Sequence, residues 1–212
     1  MYDQTLEYFR NRILKDNEKL LSEYNKTYDY LSLIHPIYNR NWRVKFLDNH
    51  RFMNWILYSY LMDIKENRAE HLLPNNILSG DITVMDIGCY DSFLVAALNK
   101  NGIDAYGYDD NDWADMFGVL GTTHKTNFSP NWNRREKNID VAIVLNYAHM
   151  FKPDDLLSYV EEKCGNMPSA IFFDFDASVQ HVHHHLYEAS RANYKTLTFP
   201  ASSERELYIW HA

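Results

Sequence analysis

From Gly80 onward the chain alternates short apolar runs with stretches of helical spacing, and few folds accept that pattern. The runs are 82–87, 105–108, 141–145, 170–175, 196–199 and 207–210; between the first five lie 92–100, 112–120, 153–163 and 179–192, all compatible with helix. Strands alternating with helices predict an α/β fold with a doubly wound, mostly parallel sheet. The last two runs follow each other without room for a helix. They predict an antiparallel hairpin at the sheet edge, joined through residues 200–203.

The first of these runs carries the most informative motif. It ends in Asp86-Ile87-Gly88 and leads at once into the apolar stretch 93–98. In an open α/β sheet, ligands bind beyond the carboxyl ends of the strands. Gly88 permits a sharp turn there and leaves no side chain between backbone and ligand. The second run ends in Asp109-Asp110, and Asp109 stands 21 residues after Gly88. An acid at about that distance from the glycine turn is placed to accept hydrogen bonds from ribose hydroxyls. Together these residues describe a nucleoside site.

On these residues the chain resembles the class I S-adenosylmethionine-dependent methyltransferases, over roughly residues 80–212. The family's first loop reads Asp/Glu-x-Gly-x-Gly-x-Gly. Here Gly88 keeps the first glycine, and Tyr90 and Ser92 stand at the later two. The loop equally lacks the G-x-G-x-x-G that a dinucleotide's pyrophosphate needs. The resemblance implies a Rossmann-like sheet of seven strands, an enzyme, and S-adenosylmethionine as cofactor. It also implies roles. Asp86 would orient the loop, Gly88, Cys89 and Tyr90 would line the methionine part, and Asp109, with Asp110 beside it, would hold the ribose. Asn127 would accept the adenine amino group and Phe128 cover the ring. The segment from Asn146 through His149 to Phe151 would line the pocket between cofactor and acceptor.

Three histidines are candidate bases. Methyl transfer from a sulfonium is an in-line displacement, and the acceptor must lose a proton when it is a hydroxyl or a protonated amine. A neutral imidazole suits that task. His149 follows the fourth family strand, and His181, His184 and His185 share one face if their segment is helical. With Asp174 or Asp176 this cluster could instead hold a divalent metal; no metal is expected, and His181 and His184 stand beside His149 as candidate bases.

Residues 1–79 read as a helical extension ahead of the 80–212 domain. Leu6, Phe9, Ile13, Leu14, Leu20 and Leu21 recur near helical spacing, and residues 50–65 carry a broad apolar face. The aromatics Tyr28, Tyr30, Tyr38, Trp42 and Trp55 either pack on the sheet or form an acceptor-binding lid.

Charge narrows the acceptor. The first 80 residues hold 11 Lys/Arg against 10 Asp/Glu, whereas the remainder holds 10 against 19. Such an acidic body repels a phosphate backbone. The Asp/Asn-Pro-Pro-Tyr/Phe of DNA adenine enzymes, the Pro-Cys of cytosine-C5 enzymes and the Lys-Asp-Lys-Glu of ribose 2′-O enzymes have no counterpart. A small molecule or saccharide, methylated at oxygen or nitrogen, is the expected substrate. Two other readings stay open: a non-catalytic S-adenosylmethionine-binding protein, and another nucleotide-dependent Rossmann enzyme. Cys89 and Cys164 form no CxxC pair, the first 20 residues hold no apolar signal core, and no run is long enough to span a bilayer. A cytoplasmic protein without a membrane segment is expected.

Overall fold

The structure, a computed structural model, describes residues 2–22, 26, 52–67, 80–89, 92–109, 138–145, 151–176, 195–200 and 205–211. Their elements are α1 (Tyr2–Asp16), α2 (Phe52–Lys65), β1 (Thr83–Ile87), α3 (Phe93–Lys100), β2 (Asp104–Tyr108), β3 (Val141–Val144), α4 (Pro153–Cys164), β4 (Ala170–Asp176), β5 (Lys195–Pro200) and β6 (Arg205–His211). The six strands form one sheet in the order β2-β1-β3-β4-β6-β5. β1 to β4 pair in parallel, and β6 is antiparallel to both β4 and β5. The family's seventh strand has no counterpart among the described residues, and the expected helices at 112–120 and 179–192 lie outside them.

The hairpin at the chain's end is present, with one shift. Pro200 is the last residue of β5, opposite Glu206, and not part of the connection. Among the described strands β5 is the outermost on its side. A proline's missing N–H is tolerated there because an edge strand has a neighbour on one side only.

The sheet is covered on both faces, which is why β1 and β3 are buried at every position. Side chains alternate between faces along a strand. Val84, Val141, Ile143, Phe172, Leu207 and Ile209 join α1, α2 and α3 in one cluster. Met85, Ile87, Val144, Phe173, Tyr208 and Trp210 join α4 in the other.

The helix α2 is buried almost all round, from Met53 through Tyr58 and Leu61 to Ile64, because it lies between α1 and the sheet layer. Trp55, the one described member of the aromatic set, is part of this core. Arg12 on α1 donates to Asp63 and the Ser59 carbonyl on α2 and to Glu66 just after it. Burial opposes its charge, but the two carboxylates outweigh that and hold the guanidinium pKa above its ordinary value. The second half of the first periodic segment is offset at Asn17, a turn residue after which 18–22 are helical again. Asn17 accepts from Asn101 Nδ2 at 2.9 Å, and Lys65 Nζ donates to the Asn101 carbonyl at 2.6 Å. The N-terminal helices thereby hold the far end of α3.

Candidate functional site

The strand order reverses at β1. The chain goes from β1 to β2 on one side, then returns to β3 on the other. A crevice opens beyond the carboxyl ends of the strands at such a point. The Asp-x-Gly motif lies there.

Asp86 is the fourth residue of β1, level with Gly107 on β2 and Ile143 on β3, and is 6% exposed. Gly88 follows with φ +79°, a left-handed conformation that a side chain would strain. Its amide donates to the Tyr108 carbonyl at 2.7 Å, and the Cys89 amide donates to the same oxygen at 3.1 Å. Both lone pairs of that carbonyl are used. The loop after β1 is thus fastened to the last residue of β2, which places Asp109, 8% exposed, beside it. Among the described residues a Cβ built on Gly88 meets no atom within 4 Å, and the buried Asp109 directly follows the carbonyl to which the Gly88 amide is bound.

The loop's return is closed by Ser92. Its amide donates to the Cys89 carbonyl at 2.8 Å, and its own carbonyl accepts from Ala96 at 2.9 Å. Ser92 stands at a glycine position of the family pattern and does take the left-handed conformation, φ 57° and ψ 14°. In that conformation its hydroxyl does not cap α3; the oxygen lies 3.4 Å from Cys89 Sγ. The conformation gave no signal in the sequence beyond the glycine expected there.

Two contacts fix β2 against its neighbours. Asn99 on α3 pairs with Ala105 through both side-chain atoms, at 2.8 and 3.0 Å. On the other face Lys163 of α4 lies 4.6 Å from the Tyr108 ring centre. Burial works against the Lys163 charge, yet hydrogen bonds to Tyr108 and Glu162 raise its pKa. A third buried carboxylate, Asp174 at 1% exposure, lies near the carboxyl end of β4.

Of the residues expected to hold a nucleoside, the structure brings Asp86, Gly88, Cys89 and Asp109 together. Tyr90, Asp110, Asn127, Phe128, Asn146, His149, His181 and His184 lie outside the described residues. Among the described residues no group of three or more His, Cys, Asp or Glu is arranged to hold a metal, and no helix is long and apolar enough to cross a membrane.

No family model and no curated protein matches the sequence. Solved structures do match. BpumL, a plantazolicin methyltransferase crystallised with a desmethyl plantazolicin analogue and SAH, aligns at TM-score 0.54 and 12% identity over 92% of this chain and 99% of its own. The 16S rRNA methylase ArmA aligns at TM-score 0.52 and 18% identity over 92% and 97%. This chain has the class I methyltransferase fold. WbdD aligns at TM-score 0.50 and 15% identity over 74% of this chain, which spans 40% of the WbdD chain. At these identities the class I fold is what the likeness establishes. In that fold the Asp-x-Gly loop and the end of β2 lie at the reversal point described above.

Proposed function

We propose that the protein is an S-adenosylmethionine-dependent methyltransferase acting on an oxygen or nitrogen of a small molecule or saccharide. One observation carries the cofactor assignment: the Tyr108 carbonyl gathers the Gly88 and Cys89 amides, which brings the turn at Gly88 next to the buried Asp109. These residues fit an adenosyl group. Gly88 and Cys89, with Tyr90, hold the methionine part. Asp109 accepts from the ribose hydroxyls, with Asp110 next to it, and Asp86 orients the loop from the end of β1. Asn127 and Phe128 take the adenine, and Asn146 begins the wall toward the acceptor.

When bound, S-adenosylmethionine supplies an electrophilic methyl on a cationic sulfur. The chain's own part is to align the acceptor with that methyl, exclude water and remove a proton. His149, His181 and His184 are the proposed bases, and residues 1–79 the helical extension that completes the acceptor side. The acidic balance beyond residue 80 supports a small molecule or saccharide over a nucleic acid, even though ArmA is an rRNA methylase. A cytoplasmic location is part of the same proposal.

Methyl transfer from labelled S-adenosylmethionine to a panel of small hydroxyl and amine acceptors tests the reading. Turnover that falls on replacing one of the three histidines by Ala, at unchanged cofactor affinity, identifies the base. Cofactor binding with no turnover on any acceptor favours the non-catalytic alternative. Binding of NAD with no binding of S-adenosylmethionine favours another Rossmann enzyme.

A further inference from the structure

We propose that Ser92 is a positioning residue for the cofactor loop, acting through its contact with Cys89. The inference rests on the reading of that loop as the S-adenosylmethionine cradle, and goes beyond it by saying how a loop with one glycine keeps the required shape. Among the described residues only Asn67 and Ser92 have positive φ without being glycine. Asn67 lies just after α2, and asparagine tolerates this region. Serine tolerates it less well, so something must hold Ser92 there.

The structure shows what does. Ser92 is 3% exposed and Cys89 is 6% exposed. The Ser92 amide closes a tight turn onto the Cys89 carbonyl, and the two side chains meet, oxygen to sulfur, at 3.4 Å. Cys89 is in turn held by the Tyr108 carbonyl. A continuous link therefore runs from the end of β2 through Cys89 to Ser92 and the start of α3. A glycine in place of Ser92 would reach the same conformation without strain but would leave the turn without its side-chain tie. The hydroxyl's work is to hold Cys89 and Ser92 in fixed relation before ligand arrives, which lowers the cost of fixing them on binding.

The full-length protein with Cys89→Ala, Ser92→Ala, Ser92→Gly, Cys89→Ser and the double Ala variant tests this by titration with S-adenosylhomocysteine. Losing one neutral hydrogen bond corresponds to about a five-fold weaker dissociation constant. Each single Ala variant and Ser92→Gly is expected to show a loss of about that size. The double Ala variant should lose less than the sum of the two single losses, because the singles share one contact. Cys89→Ser, which keeps a polar group, should recover most of the Cys89→Ala loss. Ser92→Gly separates binding from stability: it should melt no lower than the parent and still bind more weakly. Dissociation constants that stay at the parent value in Ser92→Gly and Ser92→Ala, whatever the melting temperatures, overturn the proposal and leave the methyltransferase reading standing. A parent protein that binds no S-adenosylhomocysteine overturns both.

Discussion

The Tyr108 carbonyl accepts the Gly88 amide at 2.7 Å, across the seam between the ends of β2 and β1. That single contact brings two distant parts of the sequence into one site. It joins the Asp-x-Gly turn to the acid that follows β2, and the Cys89 amide strengthens it from the same side.

Replacing Gly88 by Ala should damage binding more than stability. The left-handed φ costs a residue with a Cβ on the order of 1 kcal/mol. The new methyl group meets no described residue within 4 Å, and on the proposed reading it would stand where the ligand approaches. Gly102→Ala is the contrast. It has a similar φ of +80°, but its Cβ would meet the Lys65 ammonium, which caps the end of α3. Both variants should melt lower by roughly 2–4 °C or more, as expected for about 1 kcal/mol in a chain of this size. Only Gly88→Ala should also weaken S-adenosylhomocysteine binding, as read by calorimetry beside thermal melting.

Tyr58 and Tyr60 make opposite predictions. Both are buried, and burial raises both phenol pKa values. Tyr58 donates to Asp16 at 3.1 Å, whereas among the described residues the Tyr60 hydroxyl has no hydrogen-bond partner and its ring packs against Phe172. Tyr58→Phe should destabilise by about 1 kcal/mol. Tyr60→Phe should be neutral or stabilising, because a buried hydroxyl without a partner carries an uncompensated desolvation cost.

The same two phenols set an alkaline limit. A phenol whose folded pKa is raised keeps its proton in the folded state after the unfolded chain has lost it. Burial penalises the phenolate, so stability is unaffected below the unfolded value of about 10 and declines as pH rises above that. Melting temperature should therefore fall above about pH 10. Tyr60→Phe should reduce that fall, and an unchanged slope in the variant contradicts the assignment.

Arg12 joins α1 to α2 through two carboxylates and a backbone carbonyl. Its side chain is 11% exposed, while Asp63 and Glu66 are 26% and 32% exposed. Solvent weakens such pairs, so Arg12→Met should cost about 1 kcal/mol, the upper end for partly exposed pairs. Denaturant unfolding measures it, and a loss that disappears in high salt agrees with its electrostatic origin.

Much of this fold could be read from the pattern of apolar residues, because each element obeys its own period. The run 82–87 became β1 at Thr83–Ile87, and the stretch 153–163 became α4 at Pro153–Cys164. Neighbour choice was harder. The final hairpin was legible from the short gap between its strands, but nothing local says that β6 inserts between β4 and β5. That order depends on which apolar face meets which, as in the pairing of Phe172 with Ile209. At the site, the spacing of Gly88 and Asp109 was legible because it reflects one β-α-β unit. The left-handed Ser92 and the double use of the Tyr108 carbonyl were not, since both are backbone geometry that side-chain identity does not encode.

The most direct test is calorimetric titration of S-adenosylhomocysteine into the parent protein and into Asp109→Ala. Hydrogen bonds from ribose hydroxyls to a charged carboxylate contribute about 1.5–3 kcal/mol, so removing them should weaken binding by roughly ten-fold or more. The account predicts saturable heat with the parent and a loss of at least about that size in the variant. Equal affinity in the two proteins, or no heat with the parent, contradicts it.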